Sequence, residues 1–164
     1  MAAKEGVTLD GMLASQKSLD QLIRKTEDLR PLMERIGAYG EESTVNRFET
    51  QKGPDGKTWA PSARVRAKGG QTLVDKGRLR SSITWRADAD SAEWGTNLIY
   101  ASTHQEGATI RAKGDGRLTF FIPGLGFRSP REVVIPARPF LGLDDDDQVE
   151  IGALIQDYLL EALQ

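Results

Sequence analysis

Three short stretches carry residue types capable of chemistry. The first is "IYASTHQEGA", residues 99–108, which holds the single histidine of the chain, His104. An imidazole base needs a nucleophile beside it and a carboxylate that orients its ring. Ser102 and Asp90 are close in sequence, but no nucleophile-elbow or comparable spacing surrounds His104. Its expected role is therefore local packing or capping. The second stretch is "DDDD" at 144–147. Successive side chains on a helix point about 100° apart, so the run reads as solvated acids opposing a helix dipole rather than as a metal cage. One histidine and no cysteine also exclude multi-histidine and thiolate metal sites. The third stretch is "GPDGKT", residues 53–58, which has the Gly-Lys-Thr end of a phosphate-binding loop. Position 51 is Gln where the first glycine is required, and Trp59-Ala60-Pro61 stands where a helix should open. Pro54-Asp55-Gly56 is a turn. No metal or cofactor is expected.

Charge is the next resource. The formal net charge is only −2, yet residues 52–86 carry nine Lys/Arg against two acids and residues 107–131 five against one. Residues 132–164 carry one against eight. Basic middle segments and an acidic end suit contacts with copies of the chain or with charged neighbours. Arg64, Arg66, Lys68, Arg78 and Arg80 have no aromatic interleaving and no recognition-helix pattern. Contact with genomic DNA is expected to be non-specific at most. The 164 residues are expected to form one soluble domain without disulfides. The sequence shows neither a membrane-length apolar run nor the apolar core of a signal peptide at its start, so assembly in a cytoplasm is the expectation.

These residues must be positioned by a mixed set of elements. Residues 7–13 read as a short strand or arm, and 18–29 as a helix, so 1–28 form an N-terminal arm or helix. A stronger helix follows, with Asp28 as N-cap, Pro31 in the first turn and an end near Thr50. Gly37 and Gly40 weaken it or admit a close neighbour. Trp59 is expected to pin the 52–70 loop. Residues 72–83 form a turn or single helical turn that leads into a strand. Ile83, Trp85 and Ala87, then Ala92, Trp94 and Thr96, alternate about a turn at 88–91, which predicts a hairpin with both tryptophans on one face. Asn97 and Gly107 bracket a short helix. Within 107–131 the apolar run Leu118–Ile122 predicts a strand in a projecting loop or hairpin arm. Val133–Ile135 predicts a last strand. Ile151, Leu154, Ile155, Tyr158, Leu159 and Ala162 make the stripe of a C-terminal helix. The fold class is α+β: an antiparallel or mixed sheet against a long N-terminal helix and an amphipathic C-terminal helix, with 29–164 as a single domain.

Four stretches in order carry a further signal: "RFETQKGPDGKTWAP" (47–61), "LVDKGRLRSSI" (73–83), "WGTNLIYASTHQEG" (94–107) and "IPARPFLGL" (135–143). The set resembles the phage virion morphogenesis family, the Mu G-like tail-completion and neck proteins, from about Leu29 to the C-terminus. The resemblance implies a structural, non-catalytic subunit of the virion tail or neck that joins head to tail. It also implies a homo-oligomeric ring, expected to be hexameric, with other neck, connector and tail proteins as partners and no membrane role. Under it, Tyr100 and His104 belong to a structural segment, as do Arg138 and Phe140. With Trp59, Trp85 and Trp94 these are the expected anchors. Arg138 is expected to bond backbone carbonyls or a carboxylate, and Phe140 and Leu141 to fill the core or a neighbouring subunit. The expected interface comprises Arg111, Lys113, Arg117, Leu118, Phe120, Phe121, Arg128 and Arg131 on the arm, with Asp144, Asp145 and Asp146. A channel-lining connector that touches DNA is the alternative.

Overall fold

The structure, a computed structural model, describes residues 9–163. In chain order it contains α1 (Leu9–Glu27), α2 (Arg30–Thr50), α3 (Ala63–Lys68), β1 (Thr84–Ala87), β2 (Ala92–Gly95), α4 (Ala101–Glu106), β3 (Ala108–Arg111), β4 (Phe120–Ile122), β5 (Gly126–Arg128), β6 (Glu132–Ile135) and α5 (Asp145–Leu160). The α+β class stands. The strands, however, form three separate antiparallel ladders, β1–β2, β3–β6 and β4–β5, rather than one sheet.

α2 is the spine. Leu32, Ile36, Gly40, Thr44 and Phe48 recur every fourth residue and are all buried, so one stripe faces inward along the whole helix. Pro31 sits in the first turn, where a missing N–H costs nothing. Asp28 is not the cap residue itself. Leu29 occupies that position, and the Asp28 carboxylate accepts from the Arg30 N–H at 2.9 Å. The helix ends on Gln51, in the left-handed region at φ 60°.

The two glycines of α2 meet the two tryptophans of the hairpin. Trp85 and Trp94 are direct cross-strand partners in β1–β2. A Cβ on Gly37 would lie 2.7 Å from Trp85 Cε3, and one on Gly40 would lie 2.6 Å from Trp94 Cε3. Both distances are too short for any side chain, so glycine lets the rings lie against helix backbone. Two core clusters result. Phe48, Trp59, Leu79, Ile83, Ala101 and Phe140 form one, while Leu32, Ile36 and Tyr158 form the other beneath Trp94, Ile151 and Leu154.

α5 and the segment before it are held by charge. Arg47, one residue before Phe48, is buried and donates to the Gly142 carbonyl at 2.8 Å and to the Phe140 carbonyl at 3.2 Å. Its other nitrogen reaches the carboxylates of Asp144, at 3.2 Å, and Asp147. Asp144 caps α5, and the Asp144 and Asp147 side chains each accept from the other's backbone N–H. Tyr39 and Ser43 donate to the remaining oxygen of Asp147. At the far end Glu161 bonds Arg35 at 2.8 Å and Lys25 at 3.0 Å. These two hydrogen-bonded cations draw the Glu161 carboxyl down to about 2.

Several expectations are corrected. Residues 9–13 are helical rather than a strand or arm, and residues 7 and 8 lie outside the described set, as does the side chain of Ala162. α1 ends at Glu27, two residues short of the expected limit. The 52–70 loop contains α3, capped by the Ser62 hydroxyl on the Val65 N–H. Tyr100, not Asn97, precedes α4; Gly107 does follow it, with φ 77°. The segment 107–131 gains a strand that was not expected, β3, which pairs with β6.

Two outcomes follow for stability. Gly40→Ala drives a methyl into the Trp94 ring and is expected to cost about 1–3 kcal/mol. Gly152→Ala, in α5 with nothing within 4 Å of its Cβ, is expected to add about 0.5–1 kcal/mol. Chemical denaturation reads both, and equal effects would refute the close-packing account. For Asp147, burial opposes ionisation, but bonds from Ser43, the Asp144 N–H and Tyr39, with the Arg47 charge, outweigh it and hold the pKa below the ordinary value. A depressed carboxyl contributes fully above its unfolded pKa, about 3.9, and loses that contribution as pH falls through the lower folded value. Asp147→Asn should therefore cost about 3–5 kcal/mol near neutrality and flatten the stability curve below that point. Melts across pH 2–7 measure both effects.

Candidate functional site

The surface that could act on other molecules has three parts: an arm, an acidic turn and a cavity. The arm begins where Gly107 packs on the chain at Ile135–Ala137. A Cβ on Gly107 would lie 2.7 Å from the Ala137 nitrogen. From there β3 pairs with β6, the Ala112 N–H reaches the Arg131 carbonyl, the Leu118 N–H reaches Pro130, and β4 pairs with β5. The expected arm is thus a long hairpin, paired within a single chain rather than left as loop. Its tip leans on α3, since Gly124 faces Ala67 and Lys68.

The arm carries an aromatic pair in water. Phe121 and Phe127 are 58% and 75% exposed and meet edge to face at 5.3 Å. Phe120 and Leu118 are half-buried. Around them, Arg111 bonds Glu132, which holds its guanidinium above the usual arginine value, and Arg117 donates to the Ser129 carbonyl at 3.0 Å. Arg128 donates to the Phe127 carbonyl, and Lys113 and Arg131 are exposed. Of the interface residues expected from sequence, those at 111–131 share this hairpin. Asp144, Asp145 and Asp146 lie elsewhere, at the start of α5. There Asp144 is committed to Arg47, while Asp145 and Asp146 are exposed beside Leu143 and Val149, themselves 48% and 73% exposed.

The expected anchors divide. Trp59 is buried, donates Nε1 to the Pro139 carbonyl at 2.9 Å and stands edge-on to Phe48 at 5.5 Å. Phe140 is fully buried against Phe48, in the core of its own chain. Arg138 is buried and takes backbone carbonyls, Ala60 at 2.7 Å and Pro136 at 3.4 Å. Trp85 and Trp94 are half-buried. Tyr100 is 40% exposed, with its ring edge-on to His104 at 6.0 Å.

His104 lines a cavity of about 340 Å³ together with Arg64, Asp75, Lys76, Arg78, Tyr100 and Arg138. Burial, then the Arg138 charge, lowers its pKa. Its Nδ1 is buried without a hydrogen-bond partner among the described residues, so no carboxylate orients the ring through that nitrogen. The Ser102 hydroxyl bonds the Ile99 carbonyl instead. The backbone of His104 does bond: its carbonyl accepts from the Arg138 N–H at 2.7 Å.

Sequence reasoning missed Arg47, Asp147 and Gln105. The Gln105 side chain accepts from the N–H groups of Phe140 and Leu141 and donates to the Leu141 carbonyl. A signal for Arg47 exists, because it falls beside the inward stripe of α2, where a buried charge must find partners. For Asp147 the signal is the capping spacing Asp-x-x-Asp.

Among the described residues no helix is long and apolar enough to cross a membrane, and no cluster of His, Asp and Glu could hold a metal ion. The chain is 33% identical over 141 residues to a protein of Haemophilus influenzae named Mu-like prophage FluMu G protein 2, with 86% of each chain covered. It is 33% identical over 158 residues to the putative capsid assembly protein G of Escherichia phage Mu, covering 91% of this chain and 90% of that one. No solved structure matches. The profile of one family fits residues 12–160, which carries the likeness back from Leu29 into α1. The chain belongs to the phage virion morphogenesis family, and its role is structural, in phage assembly.

Proposed function

We propose that the chain is a ring-forming subunit of the tail-completion or neck region, which joins tail to head and transforms no molecule. The observation that carries this reading is the exposed aromatic pair on the basic arm. Two phenyl rings in water cost free energy that a neighbouring surface recovers, at about 25 cal/mol per Å² buried. The second support is the separation of charge between the arm and the acidic end of the chain. Contacts between two different patches can run head to tail, and such contacts close into a ring when the rotation between neighbours divides the full circle.

The family and the name of the phage Mu relative place the chain among assembly proteins. The surroundings of His104 support a non-catalytic role, since among the described residues its Nδ1 meets no orienting carboxylate. The ring is expected to be hexameric and to sit in the virion, with neck, connector and tail proteins as neighbours. Contact of Arg66, Lys68 or Lys113 with the genome would be electrostatic and non-specific.

The test pairs Phe121→Ser with Phe127→Ser, both at exposed positions. The double variant is expected to lose no more stability than one exposed ring pair supplies, about 0.5–1.5 kcal/mol, to lose the oligomer in sedimentation velocity and to fail to complement a phage defective in this gene. Infectious particles at wild-type yield from that variant would remove the arm from the interface. His104→Ala should lower the melting point and leave assembly intact below it.

A further inference from the structure

The cavity beside His104 holds an unbalanced set of charges. Arg138 is buried, with 4% of its surface exposed, and its two partners are neutral carbonyls. Among the described residues no carboxylate lies within 4.0 Å of it. Burial and the nearby Arg66 both disfavour its charge. Lys76 and Arg78 also line the cavity without an ion pair among the described residues. Against Arg64, Lys76, Arg78 and Arg138 stands one acid, Asp75, which is itself 3.6 Å from Arg64. A buried cation without a counter-ion costs several kcal/mol. An anion seated in this cavity would offset that cost.

The same chain displays a matching anion. Asp145 and Asp146 are exposed at the start of α5 and have no ion pair among the described residues. Leu143 and Val149 flank them, both largely exposed. The cavity lining answers with Tyr100, 40% exposed, which follows Ile99, 95% exposed, in the chain. No residue belongs to both surfaces, so one copy can offer its turn while its own cavity is filled by another.

We propose that the cavity lined by Arg64, Lys76, Arg78, His104 and Arg138 receives the exposed carboxylates of Asp145 and Asp146 of a second copy of the chain. This rests on the ring reading above and names the contact that would close the ring. The approaching carboxylates pair with Arg78 and Lys76 at the mouth and screen Arg138 below. Leu143 and Val149 cover Ile99 and Tyr100.

The test uses full-length protein with Arg78→Glu, Asp145→Arg and the two combined, all at exposed side chains; Arg78→Glu is expected to leave the melting temperature unaltered and Asp145→Arg, which sets a cation at the start of α5, to lower it slightly. Each single variant is expected to weaken self-association about tenfold or more, and the combination to regain it, because the charges are exchanged across one contact. His104, the only histidine, gives a second readout by NMR of its ring. Its pKa should be higher in assembled wild type than in unassembled Asp145→Arg, whose own cavity is unchanged, since the partner's carboxylates offset the cations around the ring. Undiminished self-association in both single variants, or an unchanged His104 titration on assembly, overturns the cavity assignment while the ring reading survives. If Arg78→Glu abolishes binding to a DNA duplex and leaves self-association intact, the cavity serves phosphate and the proposal is again overturned. If wild type stays monomeric and is absent from finished particles, the ring reading itself falls.

Discussion

The position of everything beyond residue 138 depends on the Arg47 guanidinium. It leaves α2 next to Phe48 and joins three parts of the chain: the helix spine, the carbonyls of Phe140 and Gly142, and the carboxylates that open α5. α5 has little apolar grip of its own. Tyr158 is its one buried apolar residue, and Ile151, Leu154 and Leu159 are half-buried. The helix is therefore fastened at its ends. Arg47 holds the first turn, while Glu161 with Arg35 and Lys25, and the Tyr158 hydroxyl on the Asp28 carbonyl, hold the last. Between the clasps an apolar groove of Leu22, Ile155, Leu159, Leu160 and Leu163 stays open. A helix held by charge at both ends keeps that groove at fixed geometry without burying it.

The ladders show the same economy of cover. A two-stranded hairpin is marginal alone in water, and none of the three joins another. β1–β2 is stabilised because Gly37 and Gly40 let its tryptophans reach the α2 backbone. β3–β6 is pinned at Gly107, where the chain approaches Ala137 too closely for a side chain. β4–β5 leans its tip on α3, and it bears the most exposed aromatics. Support thus falls from the spine to the arm tip, which makes the tip the part best able to adapt to a neighbour.

What could be read from the sequence follows from how local each interaction is. The tryptophan hairpin, the Pro54-Asp55-Gly56 turn and α5 depend on residues within a few positions, and their spacing announces them. The glycines of α2 were legible as a close-approach site, though not which ring approaches. β3 was hidden because Ala108–Arg111 is short and lacks a clear alternation; it becomes a strand through β6, more than twenty residues on. α3 was hidden by glycines and prolines around it, which suggested loop throughout. The Arg47–Asp147 bond spans 100 residues and no local pattern encodes it. Reading "DDDD" as solvated acids opposing the helix dipole fails for Asp147 for the same reason: it turns inward to Arg47, and Asp145 and Asp146 do not.

That division inside one acidic run shows how the chain separates folding from assembly. Charges satisfied within the protomer, such as Arg47 with Asp144 and Asp147, fix the fold and have nothing left to offer a partner. Charges left over are segregated, cations at the cavity and arm, carboxylates at the start of α5. A two-fold axis through either patch would set that patch against its own copy, and like charges facing one another are repulsive. A head-to-tail arrangement sets unlike patches together instead. With a net formal charge of only −2 per chain, added subunits build up little repulsion. The segregation of charge, rather than its total, therefore suits the head-to-tail contact that the proposed ring requires.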